Sequence, residues 1–174
     1  MHLSHFEDRI NAVCERHPDL PRQAVILTRL IRFLSGAIDD RLSRLLEREG
    51  LGGSAWAVLT MIYSDRDGAA RPSCIGQALS QSRAHMTRIS DDLVTAGLVE
   101  RVANAVDRRA VDLRLTAEGE RRVQALLPQV GGLYQEMLGI IDPVGLDQLE
   151  TTLRSLLGHI EHLPPIDPTT GTSA

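Results

Sequence analysis

A single long apolar stripe constrains the fold more than any other feature of this 174-residue chain. Between Arg22 and Gly50, leucine and isoleucine recur every three or four residues, and only the tolerated Gly36 lies within the pattern. This spacing predicts one helix of about 28 residues, roughly 42 Å long at about 1.5 Å per residue. A small domain cannot bury such a helix, so the helix must extend beyond the domain or pack against a second chain.

Composition indicates a globular chain packed with aliphatic side chains. Hydrophobic residues make up 43% of the sequence and aromatic residues only 3%, so leucine, isoleucine and valine must fill the core. No apolar run reaches transmembrane length and no signal-peptide pattern opens the chain, so we expect a soluble, cytoplasmic protein without a membrane partner. Two cysteines, Cys14 and Cys74, are too few for a disulfide scaffold and lack metal-type spacing.

The basic residues, all of them arginine, are mildly segregated. The net charge of −4 argues against a protein coated with nucleic-acid-binding surface. Between Arg71 and Arg109, however, six arginines face four acidic residues, which gives this segment +2 and leaves −6 elsewhere. The sequence therefore leaves room for one local basic patch.

The middle of the chain predicts short helices joined by tight turns. One helix follows Gly52-Gly53-Ser54, and a shorter one opens at Arg71-Pro72-Ser73. A tight connection at Gln81-Ser82 leads to a helix from about Arg83 to Ala96, with Gly97 as its C-cap. We expect Cys74 to serve as a small core hydrophobe in the shorter helix.

A β-hairpin is predicted next. Leu98–Val102 forms one strand, Ala103–Arg109 a loop, and Val111–Leu115 a second strand with alternating apolar and charged residues. In that second strand we expect the apolar side chains to face inward and Asp112 to face outward. Thr116 then caps a helix that continues towards Ile141.

The last helix begins at Asp142-Pro143, and the tail from Pro164 is expected to be disordered. The fold class is therefore mainly α with a small β-hairpin, a winged helix-turn-helix between long terminal helices. We divide the chain into four segments: an N-terminal extension with the long helix (1–50), a winged helix-turn-helix domain (51–122), C-terminal helices (123–163) and a disordered tail (164–174).

The helix that begins near Arg83 has the features of a DNA-recognition helix. In such a unit the second helix lies in the major groove and presents the face opposite its core stripe, here Met86, Ile89 and Leu93. The groove-facing candidates carry polar or basic side chains: Ser82, Arg83, His85, Thr87 and Arg88. The alternative is a solvated surface helix in which Arg88 pairs with Asp92 at i,i+4.

Residues 72–120 resemble the MarR family of bacterial transcription regulators. The matching features occur in the family's order and spacing: T-R-I-x-x-x-L at Thr87–Leu93, GLVER at Gly97–Arg101, DRR at Asp107–Arg109 and LTAEG at Leu115–Gly119. The family's long terminal helices, which build its dimer, match 22–50 and 142–163. The N-terminal helix looks closest to the EmrR-like repressors of multidrug-efflux operons.

The resemblance implies a homodimeric repressor that binds a pseudo-palindromic operator and is released by a small aromatic or phenolic molecule. In the hairpin loop, Arg109 would enter the minor groove beside Arg108, with Asp107 as its orienting partner. Ala103, Ala105 and Val106 depart from the charged or proline residues common in that loop, which implies fewer phosphate contacts.

The family binds inducers between its dimer helices and its DNA-binding lobe. The candidates for such an effector pocket are Leu30, Phe33, Trp56, Leu59 and Tyr63. Ordinary core packing is the alternative for these side chains.

The sequence also leaves two other function classes open. A thiol-switched regulator would use Cys14, since some family members switch through an N-terminal thiol, and a protein-interaction winged helix would fit the acidic net charge. An enzyme is not expected, because no nucleophile–base constellation or glycine-rich phosphate loop is present. His159 and His162 lack a third ligand, so neither a metal nor another cofactor is expected.

Overall fold

The computed structural model describes residues 3–104, 107 and 110–165. These residues form seven helices and three strands, in the order α1 (Leu3–Arg16), α2 (Arg22–Glu47), α3 (Gly53–Ser64), β1 (Ala69–Ala70), α4 (Pro72–Ala78), α5 (Arg83–Thr95), β2 (Val99–Ala103), β3 (Val111–Leu115), α6 (Ala117–Leu138) and α7 (Pro143–Glu161). The predicted fold class, mainly helical with a small β-hairpin, is confirmed. The chain divides into two compact units, residues 1–130 and 131–174.

The long apolar stripe forms one continuous helix, as its spacing predicts. Helix α2 runs for 26 residues, and Leu46 near its C-terminal end is the residue that the core buries. Large apolar side chains along the rest of the helix remain exposed, among them Leu27, Ile31 and Leu34. Helix α1 packs against α2, with the rings of Phe6 and Phe33 edge to face at a centroid distance of 5.1 Å.

The core of the first unit lies where α3, α5, β3 and α6 meet. The inward stripe predicted for α5 is correct, since Met86, Ile89 and Leu93 are all buried. The largest fully buried apolar side chains around that stripe come from six elements and are all aliphatic: Leu46, Val58, Leu59, Ile62, Ile75, Val99, Leu113, Val123 and Leu126. Aliphatic packing therefore fixes the position of α5.

The strands form an antiparallel sheet in the order β1-β3-β2. In the hairpin, Val99 pairs with Leu115 and Ala103 with Val111. The first strand begins at Val99, one residue later than predicted. Strand β1 has only two residues and pairs Ala70 with Leu113. The sequence analysis missed it, because two alanines carry no alternating pattern.

The alternation expected in β3 is wrong at its first two residues. Val111 is 47% exposed, whereas Asp112 is only 8% exposed. Strand β3 is the central strand of the sheet, so other strands pair with both of its edges, while its faces differ in burial from one residue to the next. Asp112 is buried next to Arg71 and Asn104, whose polar groups make the burial of a carboxylate tolerable.

The prediction of a buried Cys74 is also wrong, because the thiol is exposed. Helix α4 has only seven residues, and it turns Ile75 and Gly76 inward instead. A Cβ atom on Gly76 would lie 2.9 Å from Cγ of Met86, so α4 and α5 approach closely at this glycine. The thiol of Cys74 lies outside that contact.

The hairpin joins α6 through a compact junction. Gly97 has a φ of 68°, as a C-cap glycine should, and its carbonyl accepts a hydrogen bond from Thr116 Oγ1 over 2.7 Å. The same oxygen of Thr116 accepts a hydrogen bond from the Gly119 amide over 3.0 Å, which confirms the predicted cap. A side chain on Gly119 would overlap the carbonyl oxygen of Leu98.

Helix α7, in the second unit, begins as predicted. The Asp142 side chain accepts a hydrogen bond from the Gly145 amide over 2.7 Å. None of the α7 side chains is buried, and its exposed apolar residues recur at helical spacing: Leu149, Leu153, Leu156, Leu157 and Ile160. The tail predicted to be disordered lies, from residue 166 onwards, outside the described residues.

Candidate nucleic-acid interface

The turn between α4 and α5 orients α5, the candidate recognition helix. The Gln81 amide donates to the Gly76 carbonyl over 2.8 Å, and Ser80 adopts a φ of 52° to make the turn. Ser82 then caps α5, since its hydroxyl oxygen accepts a hydrogen bond from the His85 amide over 3.2 Å. The N-terminus of α5, with its free amides and partial positive charge, favours a phosphate.

The groove-facing candidates lie together on the exposed face of α5. Ser82, Arg83, Thr87 and Arg88 are exposed, and His85 is half-buried. The Thr87 hydroxyl donates to the Arg83 carbonyl over 3.0 Å, so its hydrogen is engaged within the helix. Two arginines and two hydroxyl groups therefore occupy the first turns of a helix whose opposite face is fixed in the core.

His85 links α5 to the start of α3. Its Nε2 lies 3.5 Å from Ser54 Oγ, and its Nδ1 lies 3.4 Å from Arg88 Nη2. Arg88 also lies near Asp92, with 3.6 Å between Nη1 and Oδ2, which confirms the predicted i,i+4 pair. Both side chains of that pair are mostly exposed, so the pair is weak and Arg88 is free to exchange its partner for a phosphate or a base.

Nothing in the sequence predicts the link between His85 and Ser54. Helix α3 is capped by Gly52, without a side-chain hydrogen bond, so Ser54 lies within the first turn of the helix. No sequence pattern joins two residues so far apart in the chain.

The base of the wing is closed by hydrogen bonds around Asn104. The Asn104 amide donates to the Ala110 carbonyl over 3.0 Å, and Asn104 Oδ1 accepts from the Asp107 amide over 2.7 Å. The Ala110 amide donates to the Asp107 carbonyl over 2.8 Å. Asp107 is exposed at this turn. Arg108 and Arg109, the predicted minor-groove residues, lie outside the described residues.

A buried carboxylate connects the wing to the start of α4. Asp112 Oδ2 accepts a hydrogen bond from Asn104 Nδ2 over 2.6 Å, and Arg71 Nε lies 3.9 Å from Asp112 Oδ1. Arg71 is the residue immediately before α4. Asp112 therefore links the wing to the start of the helix-turn-helix. The alternation of β3 predicts instead that this carboxylate faces solvent.

A second ion pair joins α5 to the hairpin. Arg101 Nη2 donates to Asp91 Oδ1 over 2.6 Å. Asp91 lies on the exposed side of α5, beyond the groove-facing residues, and Arg101 projects from β2. This contact links the helix that carries the groove-facing candidates to the wing.

The candidate effector residues occupy different environments. Trp56 and Leu59 belong to the buried core, with Trp56 only 6% exposed. Leu30 is half-buried on α2, Phe33 packs against Phe6, and Tyr63 is exposed. Two of the five thus lie in the core, and the other three lie outside it.

No group of three or more potential metal-ligating side chains occurs in the part of the chain that the structure describes. Nor does any helix among the same residues combine the length and hydropathy that crossing a membrane requires.

Known proteins with the same arrangement are DNA-binding regulators. The sequence model of the MarR family matches residues 54–111, which cover α3 from its second residue, α4, α5, β2 and the first residue of β3. The chain is 28% identical to the transcriptional repressor MprA of Escherichia coli, an EmrR-like regulator, over 91% of this chain and 90% of that protein. It is 30% identical to the transcriptional regulator PrsX of Escherichia coli, over 84% of this chain and 88% of that protein.

The fold matches a solved protein–DNA complex. The structure of the C80S mutant of MarR from Escherichia coli with operator DNA superposes with a TM-score of 0.70 and 28% identity, covering 80% of this chain and 99% of that one. These relatives are regulators and not enzymes, in agreement with the expectation from the sequence. The chain therefore belongs to the MarR family and is a DNA-binding transcription regulator.

Proposed function

We propose that this protein is a homodimeric repressor that binds a pseudo-palindromic operator and is released by a small aromatic or phenolic molecule. The observation that carries the proposal is the set of exposed polar and basic side chains on the first turns of α5, opposite its buried stripe. Repression is supported by the similarity to MprA, which is a transcriptional repressor. The resemblance to EmrR-like repressors supports multidrug-efflux genes as the regulated targets. We also propose that the protein is cytoplasmic.

The DNA contacts divide between two grooves. Arg83 and Arg88 would contact base edges or phosphates in the major groove, supported by Ser82, His85 and Thr87. Asp107, Arg108 and Arg109 would bring the wing to the minor groove, where the negative potential attracts arginine. The hydrogen-bonded base of the wing at Asn104 supports this role, because a fixed base limits the entropy lost on binding.

Dimerisation would cover the two exposed apolar stripes. Helices α2 and α7 carry leucine and isoleucine side chains that remain exposed in the single chain. Exposed apolar area of this kind marks an interaction surface. We assign residues 1–50 and 123–163 to dimerisation and 51–122 to DNA binding. A two-fold dimer would present its recognition helices to half-sites about one helical turn, roughly 34–36 Å, apart.

Effector release requires a ligand that favours one dimer geometry over another. We retain Leu30, Phe33, Trp56, Leu59 and Tyr63 as candidate ligand contacts. Trp56 is the single tryptophan of the chain, so its fluorescence reports on any phenol that binds nearby. Simple phenols should quench it in a saturable way, and the matching benzenes without the hydroxyl should not.

The first experiment is fluorescence anisotropy with labelled duplexes from the protein's own upstream region, at several salt concentrations. Affinity should fall steeply with salt, because phosphate contacts release counterions. Arg83→Ala and Arg109→Ala should each weaken binding by about ten-fold or more. Arg154→Ala is the matched control, since Arg154 is an exposed helical arginine paired with Glu150 at i,i+4.

Two results would overturn the proposal. Binding that ignores both substitutions would mean that the winged helix serves another partner. Absence of binding to upstream DNA, together with absence of binding to random genomic fragments, would have the same meaning.

A further inference from the structure

A second feature of the winged helix is a cleft on the side of the sheet where β1 lies. The cleft has a volume of about 860 Å³ and is lined by the end of α3, the turn after it, β1, one face of α4 and the first residues of the wing. Such a volume suits a small organic ligand. None of the five candidate effector residues lines it, so it is separate from the phenol site considered above.

The carboxylate of Asp112 lies in the wall of this cleft with one oxygen unsatisfied. Its Oδ2 accepts the hydrogen bond from Asn104, but its Oδ1 accepts none from the residues that the structure describes. Arg71 Nε, at 3.9 Å, is beyond hydrogen-bonding distance of Oδ1. A buried carboxylate oxygen without a donor is costly, so a ligand that supplies an N–H group there gains a strong, charge-assisted hydrogen bond.

The charged groups that line the cleft determine which sign of charge the ligand should carry. Among the residues that the structure describes, three carboxylates, from Asp65, Asp67 and Asp112, line it against two guanidinium groups, from Arg71 and Arg114. The walls between these groups are apolar, with Met61, Ile75 and Val102 among them. A net negative lining with apolar walls favours a cation that carries an apolar body.

We propose that this cleft binds a small organic cation, an amidinium or an ammonium on a compact apolar body, which displaces Arg71 and thereby reaches the buried Asp112 Oδ1 to donate N–H groups to it. The bound cation takes the place of Arg71 as the charge partner of Asp112. Binding itself is independent of the proposed repressor function.

Binding of the cation would alter DNA binding through Arg71 and the wing. Arg71 also lines a second cleft, of about 840 Å³, together with Arg83 and Thr87 of the recognition helix. Release of Arg71 from Asp112 uncouples the start of α4 from the wing base. This regulatory consequence, unlike the binding, rests on the proposed function.

Cys74 provides a direct reporter, because its exposed thiol lines the cleft. In a Cys14→Ser background Cys74 is the sole thiol, and its rate of reaction with a neutral thiol reagent is measured. The measurement is repeated in the presence of three ligands of one shape: benzamidine, benzamide and benzoate. Benzamidine at ten times its Kd should slow labelling by about ten-fold. The neutral and anionic probes should leave the rate unchanged.

Two variants tie the protection to Asp112. Asp112→Asn keeps the shape but removes the charge, so benzamidine should no longer protect Cys74. Arg71→Gln removes the competing internal cation and should tighten benzamidine binding by about three- to ten-fold. Asp40→Asn, at an exposed position on α2, is the matched control and should behave as the parent.

Circular dichroism checks that each variant is folded. If Asp112→Asn is not folded, the comparison of Arg71→Gln with the parent tests the proposal. Equal protection by benzamidine and benzamide would overturn the proposal. So would a labelling rate that benzamidine leaves unchanged in both the folded parent and Arg71→Gln. Since no DNA is present, these results do not depend on whether the protein represses.

Discussion

Arg101 Nη2 donates a hydrogen bond to Asp91 Oδ1 over 2.6 Å, and this contact joins β2 of the wing to the recognition helix α5. Both side chains are about half exposed. An exposed pair contributes little to stability, so we expect its effect to be on how α5 and the wing are held relative to each other.

Breaking this pair should reduce DNA affinity without unfolding the protein. For Arg101→Ala or Asp91→Ala we expect operator affinity to fall by about three- to ten-fold, while the free energy of unfolding changes by less than about 1 kcal/mol. Anisotropy and urea unfolding measure the two quantities. If the pair acts as a unit, the double variant loses no more affinity than either single variant; additive losses would show that each residue contacts DNA separately.

The Arg88–Asp92 pair predicts opposite effects for its two members. Arg88→Ala should weaken operator binding by about ten-fold. Asp92→Ala should strengthen it by about two- to five-fold, because it frees Arg88 and removes a negative charge beside the DNA. The equivalent changes in the Arg154–Glu150 pair serve as controls and should have no effect. Weaker binding by Asp92→Ala would contradict the role given to Arg88.

Gly119 and Gly131 form a matched pair of helical glycines in α6. A Cβ atom at Gly119 would overlap the Leu98 carbonyl oxygen, whereas nothing lies within 4 Å of a Cβ at Gly131. Gly119→Ala should therefore destabilise the protein by about 2–4 kcal/mol. Gly131→Ala should stabilise it by about 0.5–1 kcal/mol, since alanine is the better helix former. Urea unfolding of both variants checks the opposite signs.

The exposed stripe of α7 predicts the oligomeric state. Leu153→Asp and Leu157→Asp place a charge on the proposed dimer face and should give a monomer that has lost operator affinity. Thr152→Asp adds the same charge at an exposed polar position of the same helix and should remain dimeric. Light scattering after gel filtration measures the mass. A dimer in all three variants would assign this stripe to a different partner.

Operator release by oxidation separates the ligand-controlled regulator from the thiol-switched one. Cys14 is half-buried in α1, and Cys74 is exposed. For a ligand-controlled repressor, peroxide should leave operator binding unchanged in the wild type and in Cys14→Ser. Release of the wild type but not of Cys14→Ser would establish Cys14 as a redox switch.

Several parts of this protein follow from local patterns in the sequence. The three- and four-residue spacing of leucine and isoleucine predicts α2, and the stripe of Met86, Ile89 and Leu93 predicts which face of α5 is buried. The caps at Thr116 and Asp142 are equally local, because a short side chain bonds an amide three residues ahead. The i,i+4 pair between Arg88 and Asp92 belongs to the same class.

The tertiary structure alone decided the contacts between residues distant in sequence. Asp112 is buried because Arg71 and Asn104 surround it, although its place in an alternating strand predicted exposure. Cys74 is exposed because a seven-residue helix turns Ile75 and Gly76 inward instead. Periodicity reports which side of an element is apolar. Which polar groups meet across the fold depends on how several elements pack against one another, and no local sequence pattern encodes that packing.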